Sequence, residues 1–257
     1  MLKRKRQQKY LIKRWLEIRR QLYVFVGSGD QEALHRLRVE IKKIRAFTKF
    51  AESHEEKSAA AQLEKVRKIF RRAGLIREAG IHLQMMKQFN IDHPAFKNEE
   101  LRIIDQESGK FRLRLTRYDK QIRHAITYLL KALHPIRNRA VKHWLRRQLK
   151  ATAKIIVAPS TDKLHLARKK IKNVIYVHGM LHKRLVLMLG INTSYLDQLQ
   201  EAIGKWHDTA IAVKLLISQN AGNKATINKL ERERDKAGAA IHMISDGFWR
   251  KVFMASH

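Results

Sequence analysis

A chain of 257 residues, 44% of them hydrophobic, is long enough to bury roughly 70 to 75% of the surface its unfolded form exposes. Lys and Arg number 55 against 23 Asp and Glu, a formal charge of +32 far beyond what solubility requires, and such self-repulsion points to an anionic partner. Without cysteine there is no disulfide framework, no thiolate metal site and no zinc finger.

The N-terminal end carries Lys3, Arg4, Lys5 and Arg6, and Lys13 and Arg14 arrive before any apolar run of signal-peptide type. No stretch approaches the ~20 apolar residues that cross a bilayer. The expected setting is therefore the cytoplasm, with no membrane contact. Apolar residues then recur at helical spacing, as in Leu11, Trp15, Ile18, Leu22 and Phe25, then Leu34, Leu37, Ile41, Ile44 and Phe47, then Leu101, Ile104, Phe111, Leu115, Tyr118 and Ile122. Pro94, Pro135 and Pro159 fall between these segments and mark helix ends. The spacing predicts an all-α chain of eight helices, over 3–26, 30–53, 56–89, 97–132, 136–157, 161–188, 193–219 and 223–254. Phe111–Leu115 alternates like a strand, but its apolar positions continue a helical stripe on both sides, which predicts one long helix there.

The sequence matches itself at an offset of 130. His35, Arg38, Ile41 and Lys42 fall on His165, Arg168, Ile171 and Lys172; Gly74, Glu78 and Ile81 fall on Gly204, Asp208 and Ile211. Val66 with Leu196 and Ile69 with Leu199 keep the same register. The charge divides in the same way, +17 up to Leu133 and +15 beyond it, so it belongs to the body of the chain and not to a basic tail. Two four-helix bundles related by internal duplication are expected, over 1–133 and 134–257.

On the second helix His35, Arg38, Lys42 and Arg45 lie within roughly 80° of arc, at ~100° per residue. Leu34, Leu37, Ile41 and Ile44 sit one position earlier, so this stripe borders the core. The sixth helix repeats it with His165, Arg168, Lys169 and Lys172. Fixed cations in a row suit a linear polyanion, since each phosphate exchanges its counterions for a Lys or Arg. A solvated face would normally mix charges, yet only Glu40 is acidic between Leu34 and Phe50. Lys43, with Lys65, Lys68 and Arg72 on the third helix and Arg139, Lys142 and Arg146 on the fifth, completes the candidate binding set. Glu78 and Asp208, one per repeat, are expected to pair with the histidine or arginine of their own stripe rather than to serve as acid and base.

Motifs for chemistry are missing. The 13 histidines are scattered with no zinc-ligand spacing, and there is no phosphate-cradling Gly-rich loop and no nucleophile elbow. Glu231-Arg232-Glu233-Arg234 is a solvated helix turn. No catalytic residue, metal or cofactor is expected.

His35-Arg36-Leu37-Arg38-Val39-Glu40-Ile41-Lys42-Lys43-Ile44-Arg45 and Leu199-Gln200-Glu201-Ala202-Ile203-Gly204-Lys205-Trp206-His207-Asp208 resemble the first and last motifs of the conserved histidine α-helical domain (CHAD) family. The resemblance covers nearly the whole chain. It implies two four-helix bundles with pseudo-twofold symmetry, binding of inorganic polyphosphate by basic surfaces, and no catalysis. It also implies a free-standing module, because the triphosphate tunnel domain often fused to it has no counterpart in this sequence, and polyphosphate granules as a candidate location. Asn173 and Ile175 are the counterparts of Lys43 and Arg45, so the second stripe is shorter, and the first block has Gly80 where the family often has an acid. Nucleic acid is the competing polyanion, but Trp15, Trp144 and Phe47 fall on or beside apolar stripes and only Tyr176 neighbours a basic one. Phosphates without bases fit this better. A polyphosphate-cleaving or -forming enzyme would need a carboxylate cluster for metal, which the sequence does not offer.

Overall fold

The computed structural model describes residues 1–53, 60–157, 161–219 and 224–253. Within them every regular element is a helix, and the sole β-type pairing is an isolated bridge between Leu2 and Ile136. Contacts divide the chain into two units, Met1–Ile136 and Arg137–His257.

The first unit begins with α1 (Arg4–Ser28), whose stripe of Leu11, Trp15, Ile18, Leu22 and Phe25 is buried. Gly29 ends it in the left-handed region (φ 72°), donating its N–H to the Phe25 carbonyl at 2.7 Å. Asp30 at once caps α2 (Gln31–Glu52), accepting from the N–H groups of Glu32 and Ala33. Two residues therefore reverse the chain and lay the apolar faces of α1 and α2 together. The third helix, α3 (Ala60–Gln88), packs on α2; its expected start at residues 56–59 lies outside the described residues.

His93 caps α4 (Pro94–Leu113) with Pro94 in the first turn, where a missing N–H costs nothing. The expected long helix 97–132 is interrupted. Arg114 leaves helical geometry (φ −110°, ψ 10°) before α5 (Leu115–Lys131) resumes. Phe111, Leu113 and Leu115 cannot share one helix face; Phe111 is fully buried, edge-on to Phe25 and Tyr118, while Leu113 is 88% exposed. Both α1 and α3 pack against α5, and Arg19 of α1 reaches the buried Asp119, which also holds Arg123. Leu2 and Ile136 exchange backbone hydrogen bonds, and Gln7 donates to the carbonyls of Leu2 and His134, fastening the start of α1 to the end of the unit.

The second unit comprises α6 (Asn138–Val157), α7 (Thr161–His178), α8 (Lys183–Leu189), α9 (Thr193–Ser218), α10 (Lys224–Ser245) and α11 (Phe248–Phe253). The expected helix 161–188 is broken after His178, and His182 caps α8 as a separate turn. The expected helix 223–254 is broken at Gly247 (φ 60°), which lets α11 fold back until Val252 accepts the N–H of Asn192 ahead of α9. Residues 223 and 254 and the expected boundary at Pro159 lie outside the described residues. In this unit α7 packs between α6 and α9, and α9 packs on α10 and α11. Val141, Trp144, Leu145, Ile171, Val174, Leu196, Leu199 and Ile203 supply its core.

Candidate functional site

The basic stripe of α2 runs along the seam with α3. Arg38 enters that seam: its Nη1 donates to the Phe70 carbonyl at 2.7 Å, and its guanidinium lies 4.2 Å from the centre of the Phe70 ring. Gly74 makes the room, since a Cβ there would stand 2.5 Å from Nη1. Burial lowers the basicity of Arg38, Glu78 opposes that shift, and Arg77 adds to it. Glu78 thus acts on the stripe through its field. Arg45 is half-buried near the same Phe70 ring, at 5.4 Å, and is lowered first by burial and then by the charge of Arg67. Lys42 lies half-buried between them and His35 is exposed at the start of the row.

The second unit repeats this contact 130 residues on. Arg168 of α7 donates Nε to the Gln200 carbonyl of α9 at 3.1 Å, and a Cβ at Gly204 would stand 2.8 Å from its Nη2. Lys172 is lowered by burial and by Arg168, while Asp197, Asp208 and Glu201 raise it. Asp208 therefore supports the charge of Lys172. The rings of His165 and His207 lie 4.9 Å apart, with His207 at the position matching Arg77. Lys169 is exposed.

The other candidates stand apart from these seams. Lys43 points away from the stripe and bonds Glu40 at 2.6 Å, a buried carboxylate that Arg14 of α1 also approaches at 3.2 Å. At ~100° per residue, Lys65, Lys68 and Arg72 lie on the side of α3 opposite Phe70. Arg67 and Arg77 are the α3 cations that act on the stripe, and the sequence reading missed them. Their spacing with Gly74 was the available signal, because the residues beside the close-approach glycine must face the partner helix. Arg139, Lys142 and Arg146 line an exposed face of α6. Among the described residues no three His, Asp or Glu side chains gather where they could hold a metal ion, and no helix is long and apolar enough to cross a membrane.

A family model described as CHAD domain matches residues 10–217. The fold is similar to that of the crystal structure of the CHAD domain from the plant Ricinus communis, with a TM-score of 0.63 at 15% sequence identity, over 93% of this chain and 86% of the other. No curated protein matches the chain.

Proposed function

The chain belongs to the CHAD domain family, and from that premise we propose that it is a non-catalytic module that binds inorganic polyphosphate along the Arg38 and Arg168 stripes. The observation that carries this reading is Arg45. Burial and the neighbouring Arg67 charge both oppose its cationic form, and the opposite charge of a bound phosphate would offset that cost. Arg38, anchored on a backbone carbonyl, keeps the row in register, so a linear anion meets cations that are already placed. His35, Lys42, Arg67 and Arg77 extend the same face.

In this reading the two units are copies of one four-helix bundle. The arginine–glycine contacts at Arg38–Gly74 and Arg168–Gly204 support it, because the same close approach recurs at the same offset as the sequence repeat. A cytoplasmic protein of this kind would gather on polyphosphate granules. The test is a competition titration of long-chain polyphosphate against RNA and DNA at physiological salt and equal phosphate, with polyphosphate length followed over time. Polyphosphate should displace both nucleic acids from the two stripes and keep its length. Displacement of polyphosphate by RNA or DNA would refute the ligand, and shortening or lengthening would refute the absence of catalysis.

A further inference from the structure

The chain has four tryptophans, of which Trp15 and Trp144 are 1% and 2% exposed. Trp249 is 44% exposed, and Phe253, one turn further along α11, is 43% exposed. Their rings are parallel within 7°, with centroids 6.3 Å apart. Both line an open groove whose remaining walls are His143, Arg146, Arg147 and Lys150 of α6. Leaving two aromatic faces in water forgoes burial that residues of this size normally obtain.

The platform is held firmly. Phe248 is buried, edge-on to Trp249 and tilted against Tyr195; Val252 is fully buried and accepts the N–H of Asn192; Lys251 donates to the carbonyls of Met243 and Ile244. A fixed, exposed pair of π-faces beside a row of cations differs in kind from the Arg38 stripe, whose Phe70 ring already lies against Arg38 and Arg45. Inorganic phosphate has no use for the rings. An unpaired nucleobase does, since stacking is tolerant of base identity and its phosphates would fall to the adjacent arginines and lysine.

We propose that the α6–α11 groove binds an unpaired nucleobase on Trp249 and Phe253, with the attached phosphates held by Arg146, Arg147 and Lys150. This second site does not depend on the polyphosphate reading. The test titrates the full chain with a single-stranded RNA of about ten nucleotides, an abasic oligomer with the same number of phosphates, and adenosine triphosphate. RNA should bind about tenfold more tightly than the abasic oligomer and quench tryptophan emission, because base stacking adds to a shared electrostatic term. The W249L/F253L variant should lose that preference and the quenching, and keep the abasic affinity and the helical circular dichroism of the parent.

A strand that outbinds adenosine triphosphate identifies nucleic acid as the source of the base. Triphosphate that binds as tightly as the strand, with the same loss in the variant, identifies a free nucleotide. Should the double variant lose helical signal, the single W249L and F253L variants take its place. The proposal is overturned by equal affinity for RNA and abasic oligomer, or by a base preference that survives these substitutions.

Discussion

On α2 the half-buried Arg45 meets the charge of Arg67, and Arg38 meets that of Arg77 with Glu78 opposing it. On α7 Lys172 is also penalised by burial, but Asp197, Asp208 and Glu201 all support its charge. The repeat also loses two cations, with Asn173 and Ile175 at the places of Lys43 and Arg45. A stripe's demand for an external anion is thus set by what the fold itself leaves uncompensated. Counting lysines and arginines would rank the units almost equally; their surroundings do not.

The largest expected effect follows directly. Replacing Arg38, Lys42 and Arg45 by alanine should weaken polyphosphate binding by about tenfold or more, since charge-assisted hydrogen bonds contribute ~1.5–3 kcal/mol each. Replacing Arg168, Lys169 and Lys172 should cost about threefold, because carboxylates of the fold already support Lys172 and only Lys169 is exposed. Each variant removes three positive charges, so long-range attraction falls alike and the difference in titration calorimetry reports local contacts. Equal losses, or a larger loss in the second unit, would break the comparison.

A finer probe unseats the anchoring arginine without removing it. In G74A the new Cβ displaces the Arg38 guanidinium, forfeiting a charged hydrogen bond of ~1.5–3 kcal/mol against a helix-propensity gain of ~1 kcal/mol. G204A does the same to Arg168. Thermal unfolding should show similar net losses of about 1 kcal/mol in both variants. Polyphosphate affinity should fall several-fold in G74A and little in G204A.

Salt sharpens the same contrast. If each lost phosphate contact lowers the slope of log affinity against log salt by about 0.7, the value for single strands, the first triple variant should flatten the slope by about 2 and the second by less. A wild-type affinity that barely changes between low and physiological salt would remove the basis for both stripes.

The smallest effect concerns pH and belongs to the second unit alone. His178 is buried at the end of α7, and burial lowers its pKa below 6.5. The unfolded chain therefore takes up the proton first as pH falls. The stability held above pH 6.5 is lost as pH drops toward the folded value, with a slope of at most about 1.4 kcal/mol for each pH unit crossed. Denaturant melts between pH 7 and pH 5 should show this loss, and H178L should flatten it. A pH dependence unchanged in H178L would assign the titration to another group.

Much of this was legible from local pattern. The apolar stripes of α1 and α2 are buried as their 3.6-residue spacing requires, and the break expected between residues 26 and 30 falls at Gly29-Asp30. The interruptions were not legible: Arg114, the turn after His178 and Gly247 each lie inside a periodic run, and the period says nothing about where a helix must bend to seat Phe111 or return Val252 to Asn192. Among the site residues, Arg38 and Arg168 were found from their stripe, whereas their anchoring glycines were noticed only as repeat markers. Lys43, Lys65, Lys68 and Arg72 entered the candidate set on charge, which does not say which way a side chain faces.

The sequence by itself determined the helical class, the repeat at offset 130 and the existence of two cation rows, because each is a property of spacing along one chain. Tertiary structure alone decided which helices share a seam. It thereby set Arg67 and Arg77 beside the first row and three carboxylates beside Lys172, and left Trp249 and Phe253 facing solvent beside the cations of α6. Charge in a protein acts over the distance between side chains, and that distance is settled by packing between helices far apart in sequence.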